Sequence, residues 1–197
     1  MKPGPGSKCA AMLLAFASMS AHSAIVWNED VHGDLSNAGL SPTSIVMTSG
    51  VNTVLGLTGD SGQGIDRDYF TFTVPEGMKL AALVLLDNTF VSGGSGFLAL
   101  QAGPQLTVPT NGGGQIGDLL GFIHYASDHV GADLLTSMFI GSLSSGAYSV
   151  WVQETGGPAT YGFDFVMTPV PLPGAAVLLL SGLAGLTLLR RRRARVD

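Results

Sequence analysis

The chain has 197 residues, enough for one domain of ordinary size once its two ends are set aside. Its formal charge of −5 hides an uneven distribution: Lys2, Lys8 and five arginines lie at the ends, so residues 24–168 hold thirteen carboxylates against Arg67 and Lys79, a formal charge of −11. Such a body excludes nucleic acid and anionic lipid as partners and favours cations or neutral molecules such as glycans; Cys9, the only cysteine, lies outside it, which excludes a disulfide and a thiol nucleophile.

In chain order, residues 1–23 read as a secretory signal helix. Lys2 and Lys8 form its basic region, Ala10 to Ala17 its apolar run, and Ala21 and Ser23 offer small residues at the −3 and −1 positions. Cleavage by signal peptidase is expected after Ser23, with Ala24 the second choice. Cys9 precedes the apolar run, which argues against a lipoprotein.

The body, residues 24–168, opens with a short apolar strand that runs into the acidic turn of Asn28, Glu29, Asp30 and Asp34. Runs with strand character follow at 43–48, 51–57, 67–74, 78–86, 96–101, 147–153 and 160–168. Several alternate with the period of two that half-buried strands require. Phe70, Phe72 and Val74 face one side while Tyr69, Thr71 and Thr73 face the other; Tyr148, Val150 and Val152 alternate likewise, as do Tyr161, Phe163 and Phe165. Residues 79–86 are almost continuously apolar, which predicts a central strand covered on both faces. Most of the 28 glycines fall between these runs, as at Gly59, Gly62 and Gly64. Short strands separated by glycine turns predict an all-β protein, an antiparallel sandwich. Residues 103–141 carry the weakest signal; a strand near 120–124 and a helical turn or strand near 133–139 are expected there. No internal repeat and no second domain are visible.

The chain ends, over 169–197, with Val170-Pro171-Leu172-Pro173, an uncharged stretch, and Arg190, Arg191, Arg192, Arg193 and Arg195. The 18 residues from Leu172 to Leu189 carry no charge, and as a helix they cover about 27 Å, close to the hydrocarbon thickness of a bilayer. Arginines beside a spanning helix stay on the cytoplasmic side, so the body should face the other way.

This order of parts resembles the PEP-CTERM sorting signal of Gram-negative bacteria. The consensus has glutamate where Leu172 stands, and the variant subgroup with this proline motif also has the later Ser181-Gly182-Leu183. The resemblance implies that an exosortase, a transpeptidase-like membrane protease, cuts the tail in the inner membrane. The body is then released toward the cell surface or an exopolysaccharide matrix. A plain tail anchor on a periplasmic protein is the alternative.

In the body, the run from Asp66 to Gly77, DRDYFTFTVPEG, is similar to the signature of bacterial pre-peptidase C-terminal domains. That resemblance implies a jelly-roll-like sandwich, a module that in other proteins follows a protease and in some members binds collagen, glycans or calcium. No protease domain precedes it here.

Chemistry in the body centres on its acidic loops. Calcium takes several carboxylate and carbonyl oxygens, and the candidate ligands are Asn28, Glu29, Asp30 and Asp34 from the first loop with Asp60, Asp66 and Asp68 from the second. Solubilising carboxylates on turns would give the same pattern. Gly59-Asp60-Ser61-Gly62 spells the tetrapeptide around a chymotrypsin-type serine, but only His32 precedes it in the body and no barrel fits between them, so a turn is expected. His124, Asp128 and His129 are metal-ligand types at a spacing that suits neither a strand face nor a helix face. Trp27, Trp151, Tyr148 and Tyr161 would offer a sugar-stacking platform if exposed, and core if buried. The expectation is an exported, non-enzymatic surface or matrix protein, with a calcium-dependent glycan- or protein-binding module as the alternative.

Overall fold

The computed structural model describes residues 23–171, apart from 61, 63, 93 and 110–115, together with 174, 178 and 181–185. The signal segment, Leu172 and Pro173 of the sorting motif, and Arg190 to Arg195 lie outside the described residues, as does most of the expected spanning helix. Gly174, Leu178 and residues 181–185 are helical. Among the described residues no helix is long and apolar enough to cross a membrane.

Among the described residues the body holds ten strands, two one-turn α-helices and two 3-10 turns at Ile116–Asp118 and Ser127–His129. In order the strands and α-helices are β1 (Ser23–Asn28), α1 (Glu29–His32), β2 (Thr43–Ser44), β3 (Gly50–Asp60), β4 (Ile65–Val74), β5 (Met78–Leu85), β6 (Phe90–Val91), β7 (Gly96–Ala102), β8 (Leu119–Tyr125), α2 (Leu134–Ser137), β9 (Gly146–Gln153) and β10 (Ala159–Pro169). One layer has the order β5-β10-β3-β1, with β6 beside the start of β10. The other has the order β2-β4-β9-β7-β8. The β3–β4 hairpin passes from one to the other, its tip paired at Gly59–Asp66 and Asp60–Ile65. Pairing is antiparallel except where β1 lies parallel to β3 and β2 parallel to β4. The protein is all-β and folds as a sandwich.

The alternation read from the sequence decides which side chains fill it. Phe70, Phe72 and Val74 of β4 and Tyr148, Val150 and Val152 of β9 meet Tyr161, Phe163 and Phe165 of β10 in one core. Phe165 receives Phe72 and Phe70 edge-on, with centroids 5.2 and 5.9 Å apart. Each such buried ring contributes about 1.5–3 kcal/mol. The opposite parity is covered too: Tyr69 and Trp151 lie under Leu106 and Val108 of the loop that follows β7.

The stretch expected to be a central strand is instead the outer strand β5. Its apolar character has two sources. A bulge at Ala81 turns Leu80, Leu83 and Leu85 all into the core, and residues 131–143 cover its free edge. Leu80 and Leu143 exchange backbone hydrogen bonds of 2.9 and 3.0 Å, and Gly131 donates to the Leu85 carbonyl at 2.8 Å. Asp133 caps α2 and also accepts from the Leu83 amide, which sends Leu134 and Leu135 into the core. A helical turn in this region was one of the two expected forms.

Two tyrosines reach across glycines. A Cβ on Gly56 would overlap the Tyr161 hydroxyl, and one on Gly96 would overlap the Tyr125 ring. Both rings also touch Phe163. At the opposite end of the sandwich, Val51 of β3 lies between Ser23 of β1 and Val166 of β10.

Candidate metal centre

The end of the sandwich that holds these tyrosines also gathers the acidic loops. Asn28 closes β1 and caps α1, its side chain accepting from the Asp30 amide at 3.1 Å. The cap places Glu29 at the first helical position, turned back over the sheet. There Glu29 Oε1 accepts from the Leu35 amide at 3.0 Å and Oε2 from the Leu57 amide at 2.6 Å. Gly33, at φ 86°, ends the turn in a backbone conformation that favours glycine and brings Asp34 next to it.

Asp68 arrives from the other layer. It shares the inward parity of Phe70 and Phe72 and is wholly buried. Its Oδ2 accepts from the Tyr161 hydroxyl at 2.7 Å, while Oδ1 has no partner. Glu29, Asp34 and Asp68 each bring one oxygen to a point where all three lie within 4.8 Å of one another. Asp66, two residues before Asp68, stands nearby and its Oδ1 accepts from the Asn37 side-chain Nδ2 at 2.9 Å.

Electrostatics make the cluster unfavourable by itself. Burial, reinforced by the charge of Glu29, pushes the Asp68 carboxyl up to about 9 despite the Tyr161 hydrogen bond. Burial also raises Glu29, against the two backbone amides that hold it, and raises Asp34 with the help of Asp66. The nearest cationic side chain in the sequence is turned away, since Arg67 has outward parity and its Nε donates to Gln153 Oε1 at 2.9 Å. Among the described residues the one ion pair is Asp128 with His129, at 2.7 Å.

A hard cation among these oxygens would offset their repulsion. Calcium sits about 2.3–2.6 Å from carboxylate oxygens, so two ligands across the ion are about 4.6–5.2 Å apart; magnesium, at about 2.1 Å, draws them to about 4.2 Å. Three oxygens within 4.8 Å of one another leave room for one such ion between them. Glu29, Asp34 and Asp68 would hold it, and the unpartnered Asp68 Oδ1 is the oxygen with most to gain.

Of the seven candidate ligands, the structure thus unites Glu29, Asp34 and Asp68, with Asp66 beside them. Asn28 serves as a helix cap, Asp30 is exposed on α1, and Asp60 accepts from the Gly62 amide at the hairpin tip. Ser61 lies outside the described residues; Gly59 and Asp60 end β3, and Gly62 is a bend. His124 lies tilted against Phe97 while His129 pairs with Asp128, so these three do not converge. Sequence reasoning missed Tyr161 as the donor to Asp68, and missed that Asp68 is buried. Parity carried that signal, since Asp68 falls in step with Phe70 and Phe72.

Tyr148 and Tyr161 are core residues, and Trp27 stacks on His32 with centroids 5.0 Å apart. Trp151 closes the second cluster with one edge at a small pocket. At the start of the tail, Val170 donates to the Gly77 carbonyl at 2.8 Å, and beyond it Pro171 is exposed.

No family model matches the chain, and no curated protein or solved structure is significantly similar to it.

Proposed function

We propose that the chain is an exported, non-enzymatic surface or matrix protein, a jelly-roll-like sandwich whose amino-terminal arm is fastened by calcium. The observation that carries the calcium reading is the meeting of Glu29, Asp34 and Asp68 from two distant segments, with one buried carboxylate oxygen unpartnered. Glu29 lies directly after β1, so an ion bound there ties the arm to β4 of the other layer. The ion supplies charge neutralisation and a fixed geometry, and the carboxylates supply the ligands.

Export rests on the two ends of the sequence. The basic and apolar segment before Ser23 supports a cleaved signal, and the proline motif with its uncharged stretch and arginines supports sorting by an exosortase-like protease. Exposure of Pro171 just beyond the last strand is compatible with cleavage there. The body then joins an exopolysaccharide layer, and the inner membrane holds it only before processing.

Two measurements test this. Calorimetry and thermal melting of the full chain with calcium should show binding, and at a hundredfold excess over Kd a rise in Tm of about 5–10 °C. No heat and no shift would remove the calcium reading. Intact mass of the protein from producing cells tests the sorting reading: a released form ending near Pro171 is expected. A membrane-bound form that keeps the arginines would make it a plain tail-anchored periplasmic protein.

A further inference from the structure

The outer face of the β8-β7-β9 layer carries a row of aromatic side chains that the calcium cluster does not use. Phe122 and His124 project from β8, Phe97 from β7 and Trp151 from β9. Phe97 is the hub, with centroids 6.0 Å from Phe122, 5.5 Å from His124 and 4.7 Å from Trp151. Phe122 is 46% exposed, so the row reaches solvent at its β8 end. The row ends in a pocket of about 270 Å³ between the start of β7 and the loop after β9.

The pocket has polar as well as aromatic walls. Gln153 Oε1 accepts from both Trp151 Nε1, at 3.2 Å, and Arg67 Nε, at 2.9 Å. Two donors on one oxygen fix the orientation of the amide, so its NH₂ group is the end left to donate. Among the described residues that group has no partner, and the His124 imidazole has no hydrogen bond. Glu154 closes the wall, its Oε1 accepting from the amides of Thr155 and Gly156 at 2.7 and 2.6 Å.

Aromatic faces carry negative quadrupole density that attracts C–H groups, while free amide and imidazole groups call for hydroxyl partners. A pyranose ring has both, an apolar C–H face and a polar rim. The volume is at the small end of ligand pockets and suits one ring rather than a peptide segment. The body's charge of −11 and Glu154 at the wall disfavour acidic sugars. We propose that this pocket binds a neutral hexopyranose unit of an extracellular glycan, with the partly exposed Phe97 as the stacking surface, the edge of the buried Trp151 beside it, and Gln153 and His124 as the polar contacts. Only the origin of the glycan rests on the exported location proposed above; the pocket itself is independent of the calcium cluster.

The test uses the full chain in a detergent without a sugar headgroup, in a Trp27→Phe background that leaves Trp151 as the only tryptophan. Neutral hexasaccharides of β-1,4-glucan, α-1,4-glucan, β-1,4-mannan and β-1,4-galactan are titrated, with hexagalacturonate as the acidic control. At least one neutral probe should shift Trp151 emission. Affinity should fall about tenfold in His124→Ala, which alters an exposed side chain, and in Gln153→Ala. Glu29→Gln should bind the sugar unchanged, which separates this site from the calcium reading. The proposal is overturned if no neutral probe shifts the emission, if hexagalacturonate binds more tightly, or if the shift survives both pocket variants.

Discussion

Asp68 concentrates the chemistry of this molecule in one side chain. In the unfolded chain a carboxyl of this kind ionises near 3.9, whereas burial in the fold holds its proton up to about 9. Between these values the folded state binds the extra proton, so the metal-free protein loses stability as pH rises, by about 1.4 kcal/mol per unit. Melting temperature in chelator should therefore fall steadily from about pH 5 to pH 8, and saturating calcium should flatten the slope. Asp68→Asn supplies the matching test, because the amide keeps an acceptor for Tyr161 without a charge to bury. This variant should melt higher than the parent in chelator at pH 8 and should lose the calcium response. A variant that melts lower in both conditions would mean that Asp68 is merely structural. The parity of Asp68 with Phe70 and Phe72 was legible in the sequence. Its meeting with Glu29 and Asp34 was not, because more than thirty positions separate them and only the parallel docking of β1 closes that distance.

Among the elements, the arm from Ser23 to Asn28 depends most on its surroundings. It is a strand on one edge of its layer with three of its six residues exposed, and Glu29, which accepts from the Leu35 and Leu57 amides, reinforces its parallel pairing with β3. Loss of the cation leaves Glu29 and Asp34 crowded beside the buried, protonated Asp68 at the point where the arm is fastened. Hydrogen exchange on the full chain should show amides of β1 and of its partner stretch Val51–Leu55 exchanging faster in chelator than in calcium, while β4 and β9 stay protected. Equal protection in both conditions would show that the arm needs no ion. Element boundaries were readable where alternation was strict, as in β4, β9 and β10. They failed to give position for β5, because apolar residues on both parities look the same whether a strand is central or has its edge covered by residues 131–143. The aromatic row across β7, β8 and β9 was hidden for a related reason. Trp151 falls between Val150 and Val152 and so points to the opposite face, but which strands stand beside β9 is a matter of topology.

For the whole molecule, the uneven charge is the governing fact. A body with thirteen carboxylates and two cationic side chains repels itself as well as polyanions. Added sodium chloride screens that repulsion, so melting temperature in chelator should rise between about 20 and 300 mM salt. The rise should be smaller in calcium, where the densest knot of charge is already neutralised. If salt lowered the melting temperature instead, attractive ion pairs would outweigh repulsion, contrary to the scarcity of such pairs among the described residues.

The course of β3 has one more consequence. Its first residues lie between Ser23 and Val166, so the chain enters and leaves the body side by side, and its last residues lead into the hairpin tip next to Asp66. From Val51 to Asp60 an extended strand climbs about 30 Å. Any anchor that grips either terminus therefore grips the same pole, and the carboxylate cluster and the aromatic pocket stand at the far one. Cutting the leash at one end or both changes how far this body can travel, but not which pole it holds out.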